Sequence, residues 1–153
     1  DIFPISAEIC YNKVIHAITP PSEENLIIYK GDHTIVMLNK YPYSSGHLLI
    51  APIMHLSSID ELSEAAVTEL AVLSQVCVKT LRREYNPEGF NIGVNIGAAA
   101  GAGVPDHVHM HVLPRWSGDT NFMTSISETR VLPEEIGVTY IKLHKTFGQI
   151  VDE

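Results

Sequence analysis

The chain has 153 residues, 45% of them hydrophobic, and we expect residues 1–153 to form a single domain with a sizeable core. Its formal charge of −8, from 18 acidic and 10 basic residues, argues against long-range attraction of nucleic acids or anionic membranes. No apolar run approaches the roughly 20 residues of a bilayer-spanning helix, we find no charged-then-apolar leader, and two cysteines are too few for a disulfide framework, so the sequence predicts a cytoplasmic protein.

The first predicted elements are two strands that form a hairpin. The segments 34–39 (TIVMLN) and 47–53 (HLLIAPI) are rich in β-branched and apolar residues. They flank 40–46 (KYPYSSG), whose proline, serines and glycine favour a turn. The sequence therefore predicts a β-hairpin with a longer loop.

A long helix is predicted next, over residues 60–85, where apolar residues recur at spacings of three and four. Ser58 and Glu61 have the spacing of a capping box at its start. The Asn-Pro pair at 86–87 ends the helix, because a residue before proline is pushed out of the helical region. Cys77 lies on the apolar stripe, so we interpret it as a core residue.

Two further strands are predicted at 90–96 (FNIGVNI) and 107–113 (HVHMHVL), joined by the glycine-rich loop 97–103 (GAAAGAG). Residues 133–148 predict a short C-terminal helix, which Gly137 disfavours. The order of hairpin, long helix, hairpin and tail indicates an α+β fold. We expect a mainly antiparallel sheet with the long helix packed on one side.

Three histidines alternate along the last predicted strand. Because alternate side chains of a strand point to the same side, His107, His109 and His111 are expected to lie together, with the intervening residues facing the core. A zinc site is one interpretation, since two histidines two residues apart can share a metal. The outer two lie roughly 13 Å apart on a straight strand, however, too far for one ion whose ligands lie at about 2.0–2.1 Å. A solvated histidine surface without chemistry is a third interpretation.

The catalytic interpretation gives each ring its own task. His109 acts as a nucleophile toward phosphorus when a neighbour holds its tautomer. His111 donates to a phosphate oxygen, and His107 keeps the row in register. A phosphate also needs backbone N–H groups directed at it, and glycines 97, 101 and 103 would allow positive φ angles and a close approach in such a loop.

The sequence resembles the histidine triad (HIT) superfamily of nucleotide hydrolases and transferases. The family signature, His-x-His-x-His-x-x with apolar x, is complete in HVHMHVL at 107–113. The segments 38–42 (LNKYP), 46–52 (GHLLIAP) and 95–101 (NIGAAAG) are similar to the family's nucleotide-pocket segments, so the resemblance spans roughly residues 26–116. The continuation PRWSGDTNFM at 114–123 is more similar to the bacterial and archaeal diadenosine tetraphosphate phosphorylase and hydrolase branch.

This resemblance implies a five-stranded HIT-like fold, a homodimer, an adenine-nucleotide substrate, and no cofactor or metal. The implied reaction is hydrolysis or phosphorolysis of a dinucleoside polyphosphate through a nucleotidyl-histidine intermediate on His109, flanked by His107 and His111. The implied nucleotide-binding positions are Asn39 for the ribose, Met37, Leu38 and Ile28 as an apolar wall for the base, Asn95 near the α-phosphate, Gly101 and Gly103 in the loop, and His47 behind the triad.

Some positions depart from the family pattern. Ala102-Gly103 stands where many members carry a hydroxyl residue that assists the leaving group. Cys10 is followed three residues later by Lys13, so the Cys-x-x-Cys zinc pair of many bacterial members is missing and His55 loses its partners. Arg115 either reaches a distal phosphate or ends the strand in water. A phosphoramidate hydrolase and a nucleotide-binding module with little turnover remain the alternatives to a polyphosphate-cleaving enzyme.

Overall fold

The computed structural model describes residues 20–119 and 134–153 of the chain. Cys10, Lys13 and the last four residues of the 114–123 segment lie outside the described residues. The described elements, in chain order, are β1 (Ile27–Lys30), β2 (Thr34–Leu38), β3 (Leu48–Pro52), α1 (Glu64–Tyr85), β4 (Gly89–Val94), β5 (Met110–Arg115) and α2 (Ile136–Val151).

The five strands form one sheet in the order β1-β2-β3-β5-β4, and every neighbouring pair is antiparallel. α1 packs against β2, β3 and β5, and α2 packs against β1 and α1, so both helices contact the sheet. The expected α+β fold with a five-stranded antiparallel sheet, one long helix and a C-terminal helix is confirmed. Neither α1 nor α2 combines the length and apolar character of a membrane span, among the residues that the structure describes.

The main core lies between the helices and the sheet. Alternate residues of each strand contribute to it, because successive strand side chains point to opposite sides. We call this side of the sheet the helix-covered face. Its buried members are Ile28, Val36, Leu38, Leu48, Ile50, Leu70, Leu73, Cys77, Leu81, Val112, Tyr140, Leu143 and Phe147. Cys77 is completely buried, as its place on the apolar stripe predicted.

The start of the long helix differs from the expectation. α1 begins at Glu64, where the side chain of Ser63 accepts from the backbone N–H of Ala66 at 3.2 Å. Ser58 instead precedes a separate 3-10 turn without capping it, and the Glu61 carboxylate accepts from Ser57. The spacing of Ser58 and Glu61 therefore predicted the helix start at the 3-10 turn, one turn before α1 begins. The helix ends as predicted, with Asn86 in the left-handed conformation (φ 43°).

Several strand boundaries also differ. β1 was not anticipated as a strand, because its four residues are too few to show an alternating pattern. β5 begins only at Met110, so His107 and His109 precede the ladder, and the backbone N–H of Val108 donates to Leu56 O at 2.8 Å. The C-terminal helix has 16 residues, the same length as the predicted helix over 133–148, but it begins and ends three residues later, and Gly137 lies in its first turn.

Candidate active site

The triad lies against the opposite side of the sheet from the helices. His111 pairs with Leu49 of β3 and with Gly93 of β4, and Leu49 pairs in turn with Met37 of β2. Directly paired residues of antiparallel strands share a side. We call the side that carries Met37, Leu49 and His111 the triad face. His47 lies on it as well, because it precedes Leu49 by two residues.

The expected apolar wall for a base is divided between the two sides of the sheet. Met37 lies on the triad face in a small cluster with Ile27, Ile35 and Ala51. Leu38 and Ile28, each 2% exposed, belong instead to the core beneath the helices. The sequence resemblance assigned all three to one wall because it did not account for strand alternation. Ile27 and Leu49 accompany Met37 where Leu38 and Ile28 were expected.

The tautomer of His109 follows from a single hydrogen bond. Its Nδ1 lies 2.9 Å from the carbonyl oxygen of His107. A carbonyl only accepts, so Nδ1 carries the proton and donates. In the neutral ring, Nε2 then holds the lone pair. This hydrogen bond thus leaves Nε2 as the ring nitrogen of His109 that can act as a nucleophile.

A second chain of hydrogen bonds fixes His111. The backbone N–H of Tyr43 donates to Nδ1 of the fully buried His47 at 3.1 Å, so the proton of neutral His47 is on Nε2. That Nε2–H donates to Nδ1 of His111 over 2.9 Å. Neutral His111 therefore carries its own proton on Nε2. His111 is set as a donor, the opposite role to that of His109.

Electrostatics supports the same assignment. Burial, with the charge of His109 as a second cause, lowers the pKa of His111 to about 4. Protonation of His111 would also place a second N–H against the donating Nε2 of His47, which would break their hydrogen bond. Both effects disfavour the imidazolium form, so His111 is neutral at physiological pH. The rings of His109 and His111 meet edge to face with centroids 4.9 Å apart.

His107 is anchored away from the other two histidines. Its Nε2–H donates to the carbonyl oxygen of Pro52, at the end of β3, over 2.8 Å. The ring of His55 meets it edge to face with centroids 5.0 Å apart. Within residues 20–119 and 134–153, no three histidine, cysteine, aspartate or glutamate side chains group as metal ligands would.

Asn39 is engaged by the same network. Its Oδ1 accepts from the backbone N–H of Tyr41 at 3.0 Å, and its Nδ2 lies 3.3 Å from Nδ1 of His47. Asn95 is exposed in the connection between β4 and β5. The structure therefore links Asn39, His47 and His111 through hydrogen bonds, while Asn95 lies in a separate loop.

The glycine-rich loop only partly matches the expected phosphate cradle. Gly97 and Gly101 have positive φ angles of 78° and 79°, as predicted, whereas Gly103 does not. Ala98–Ala100 form a 3-10 turn. The N–H groups of residues 100, 101 and 102 donate to carbonyls of Gly97 and Ala98, so these three amides stabilise the loop itself.

Arg115 also lies on the triad face, but its charge is used within the protein. Asp119 accepts from its Nε and Nη2 at 2.5 and 2.7 Å, and Asn91 accepts from Nη1 at 2.6 Å. The carboxylate raises the pKa of the guanidinium. Arg115 is the last residue of β5 and its side chain is partly exposed, as one interpretation expected, but its guanidinium is paired with Asp119. A contact with a distal phosphate stays a prediction.

Sequence reasoning missed Tyr43. Its backbone contacts His47, and its ring contacts both His47 and His111. The residue stands in KYPYSSG, where the pattern indicated only a turn. The signal available was its position four residues before His47, the length of one tight turn.

The sequence model of the HIT domain family matches residues 21–118 of this chain. The chain is 38% identical over 112 residues to AP-4-A phosphorylase of Mycobacterium tuberculosis, an alignment that covers 73% of this chain and 57% of the relative's length. A Zn-bound histidine triad family protein of Mycobacterium smegmatis has the same fold, with a TM-score of 0.72 at 23% identity, over 96% of this chain and 98% of the other. A hypothetical histidine triad nucleotide-binding protein of Sulfolobus tokodaii reaches 0.67 at 25% identity, over 94% and 91%.

The family match covers all five strands, the long helix and the three histidines. It ends before the C-terminal helix. The chain spans little more than half the length of the mycobacterial phosphorylase, so the likeness concerns this shared part. On the family match and this identity, the chain belongs to the HIT domain family.

Proposed function

We propose that the protein transfers the nucleotidyl group of an adenine nucleotide through His109, and that its substrate is a dinucleoside polyphosphate. One observation carries this proposal. The hydrogen bond from His109 Nδ1 to the His107 carbonyl leaves the Nε2 lone pair for attack on phosphorus. The neighbouring His111 presents an N–H donor rather than a competing lone pair.

In the first step, the His109 Nε2 lone pair attacks the α-phosphorus and forms a P–N bond. The P–O bond to the rest of the substrate breaks, and its electron pair leaves with the departing oxygen. Water or inorganic phosphate then attacks the same phosphorus through oxygen, the P–N bond breaks, and its electron pair returns to His109 Nε2 as the lone pair. When water is the acceptor, the proton that it loses passes to solvent. Two displacements replace one difficult step, and catalysis depends mainly on position and charge stabilisation.

A chain with a net charge of −8 must bind this anion through local donors. His111 provides one, since its neutral form has the proton on Nε2 beside the His109 ring. The positive-φ residues Gly97 and Gly101 shape the loop near the triad, and the amides that the loop does not use itself are available to phosphate oxygens. These groups act over hydrogen-bond distances, where the global charge matters little.

For the nucleoside, we propose that Asn39 binds the ribose and that the base lies against Met37 of the triad face. The placement of Met37 beside Leu49, in register with His111, supports this assignment. Leu38 and Ile28 support this apolar surface only from the helix-covered face of the sheet. Asn95, Gly101 and Gly103 are proposed on the phosphate side, and His47 as the residue that orients His111.

The relative named AP-4-A phosphorylase supports phosphate as the acceptor. No side-chain hydroxyl is present at Ala102-Gly103, so the leaving group is handled without one at that point. A leaving group that is already a good anion, such as a nucleoside polyphosphate, needs less help than an alcohol or amine. This favours polyphosphate substrates over phosphoramidates.

The test is chromatography of products after incubation with diadenosine tetraphosphate, with and without inorganic phosphate. Adenosine diphosphate and triphosphate that form only with phosphate would establish a phosphorylase. Adenosine monophosphate and triphosphate, formed without phosphate, would establish a hydrolase. Turnover of an adenosine phosphoramidate alone would replace the polyphosphate proposal, and binding without turnover of any substrate would refute it.

We also propose that the chain is one nucleotide-binding domain that forms a homodimer in the cytoplasm. β4 is an edge strand with Ile92 48% exposed, which suits pairing with a second copy. Ile92→Lys should then convert the dimer to a monomer in analytical ultracentrifugation, while Ile141→Lys on α2, at a residue 60% exposed, should not. A wild-type protein that sediments as a monomer at micromolar concentration would contradict this proposal.

A further inference from the structure

Tyr43 contacts both partners of the His47–His111 hydrogen bond. Its ring centroid lies 4.8 Å from that of His47, and the two planes are tilted by 46°. It lies 6.2 Å from the ring of His111 and nearly parallel to it, at 13°. Tyr43 is nevertheless 46% exposed, so its ring covers the histidine pair at the protein surface rather than filling the core.

The backbone of the same residue sets the direction of the hydrogen-bond chain. Its N–H donates to His47 Nδ1, which forces the proton of His47 onto Nε2. The amide Nδ2 of Asn39, 3.3 Å from the same nitrogen, is a second donor that favours the same tautomer. The later assignments follow from this tautomer, because the Nε2–H of His47 holds His111 as an acceptor at Nδ1. Tyr43 therefore supplies a first donor of this series of hydrogen bonds, and its ring covers the hydrogen bond between His47 and His111.

We propose that Tyr43 is a positioning residue that keeps His111 as a neutral Nε2–H donor, through its backbone N–H on His47 and through the cover its ring gives to the His47–His111 pair. The consequence for catalysis rests on the proposed function. The state of His111 itself does not, because it is a property of the protein without substrate.

Few other groups influence His111. His109 faces it edge to face, and His47 donates to it. Its strand partners on either side are Leu49 and Gly93, which carry no charge. Removal of the Tyr43 ring would therefore expose the His47–His111 pair to water without introducing a new charge. Water stabilises an imidazolium, so His111 should then protonate more easily.

The experiment is a pH titration of the ¹⁵N-labelled histidine rings by NMR, without substrate, in the full chain. Tyr43→Ala removes the ring but keeps the backbone N–H, and Tyr43→Phe keeps the ring. Tyr41→Ala is the matched control, since Tyr41 is also 46% exposed, and in the described part of the chain its ring contacts no histidine. The His111 resonances are assigned from a His111→Asn variant.

In Tyr43→Ala the midpoint of the His111 titration should rise by about one pH unit or more. In Tyr43→Phe and Tyr41→Ala it should stay within a few tenths of a unit of the wild type. His111 should have its proton on Nε2 in the neutral form of all four proteins. An unchanged midpoint in Tyr43→Ala, an equal rise in Tyr41→Ala, or a proton on Nδ1 in the wild type would overturn the proposal.

Kinetics separates positioning from a merely structural role. With the His111 pKa raised from about 4 to about 5, the ratio of kcat/KM at pH 4.5 to that at pH 8 should fall about three-fold further in Tyr43→Ala than in the wild type. An equal loss at both pH values would overturn the catalytic part. Absence of any turnover by the wild type would refute the proposed function alone, since the titration of His111 would still decide the role of Tyr43.

Discussion

The two sides of the sheet consist of the same strands but are stabilised by different interactions. The helix-covered face is mainly apolar, and its members include the fully buried Leu81, Leu143 and Val112. The triad face carries only a small apolar cluster, and beside it lies a chain of imidazoles held by hydrogen bonds. On the first side, contact area provides stability. On the second, the direction of each hydrogen bond determines what the side chains can do.

This difference separates the expected effects of mutation. On the helix-covered face, loss of volume should cost stability and leave the chemistry of the remaining folded protein intact. On the triad face, loss of one ring nitrogen should remove activity with little change in stability.

His109→Asn should reduce turnover of diadenosine tetraphosphate by at least about 10⁴-fold, because no lone pair remains in line with the phosphorus. Binding of adenosine monophosphate, measured by calorimetry, should change only a few-fold. His33→Asn, at an exposed histidine of the β1–β2 turn, is the control and should retain activity. Residual turnover above one per cent in His109→Asn would exclude His109 as the nucleophile.

Phe147→Ala should lower the free energy of unfolding by about 3–5 kcal/mol, because Phe147 is 1% exposed and packs beneath the sheet. Ile141→Ala on the same helix, 60% exposed, should cost no more than about 0.5 kcal/mol. Urea denaturation measures both. If Phe147→Ala abolished turnover under conditions where it remains folded, the separation of the two faces would fail.

His111 should make the protein less stable in weak acid. Its pKa is about 4 in the folded chain and about 6.5 in the unfolded chain, so the unfolded chain binds more protons between these values. Stability is full above pH 6.5 and declines as the pH falls toward 4. Since His111 is only half-buried, we expect a loss of about 1–2 kcal/mol at pH 5.

Urea unfolding at pH 7.5 and pH 5 measures this loss. His111→Asn should reduce the difference in unfolding free energy between the two pH values by that amount, because Asn does not titrate. Carboxylates contribute little at pH 5, above their ordinary pKa values. An identical pH dependence in the variant and the wild type would show that His111 titrates normally.

Glu69→Gln should cost about 1 kcal/mol. The Glu69 carboxylate of α1 accepts from the backbone N–H groups of Asp32 and His33 and from Thr34 Oγ, at 2.7–2.9 Å, and so ties the β1–β2 turn to the helix. A glutamine amide keeps one acceptor oxygen, but its NH2 group replaces the second oxygen and would face N–H or O–H donors. Gln75→Ala, exposed on the same helix, should be neutral in thermal denaturation; an equal loss there would remove the special role of Glu69.

Much of the fold was accessible from the sequence because it depends on periodicity. The spacing of three and four predicted α1 to within four residues at its start, and the Asn-Pro pair marked its end. β1 was not predicted because four residues are too few to show an alternating pattern. The start of α1 was placed too early because Ser58 and Ser63 are both possible caps. Which serine caps the helix depends on where the preceding chain packs.

The three histidines and a separate task for each were predicted from the sequence, but the hydrogen bonds that fix their tautomers were not. Those roles depend on the carbonyl of His107 and on the backbone N–H of Tyr43, and main-chain groups leave no trace in a sequence. The division of Met37 from Leu38 across the sheet was available from strand alternation. Gly103 could not be distinguished from Gly97 and Gly101, because glycine permits a positive φ without requiring it.

The central claim is that His109 Nε2 carries the nucleotidyl group during turnover. The most direct measurement is the mass of the intact protein after millisecond mixing with diadenosine tetraphosphate and quenching. We expect a species heavier by one adenylyl group, located on His109 by peptide mapping and absent in His109→Asn. Full turnover by the wild type with no such species at any mixing time, or an adduct on another residue, would contradict it.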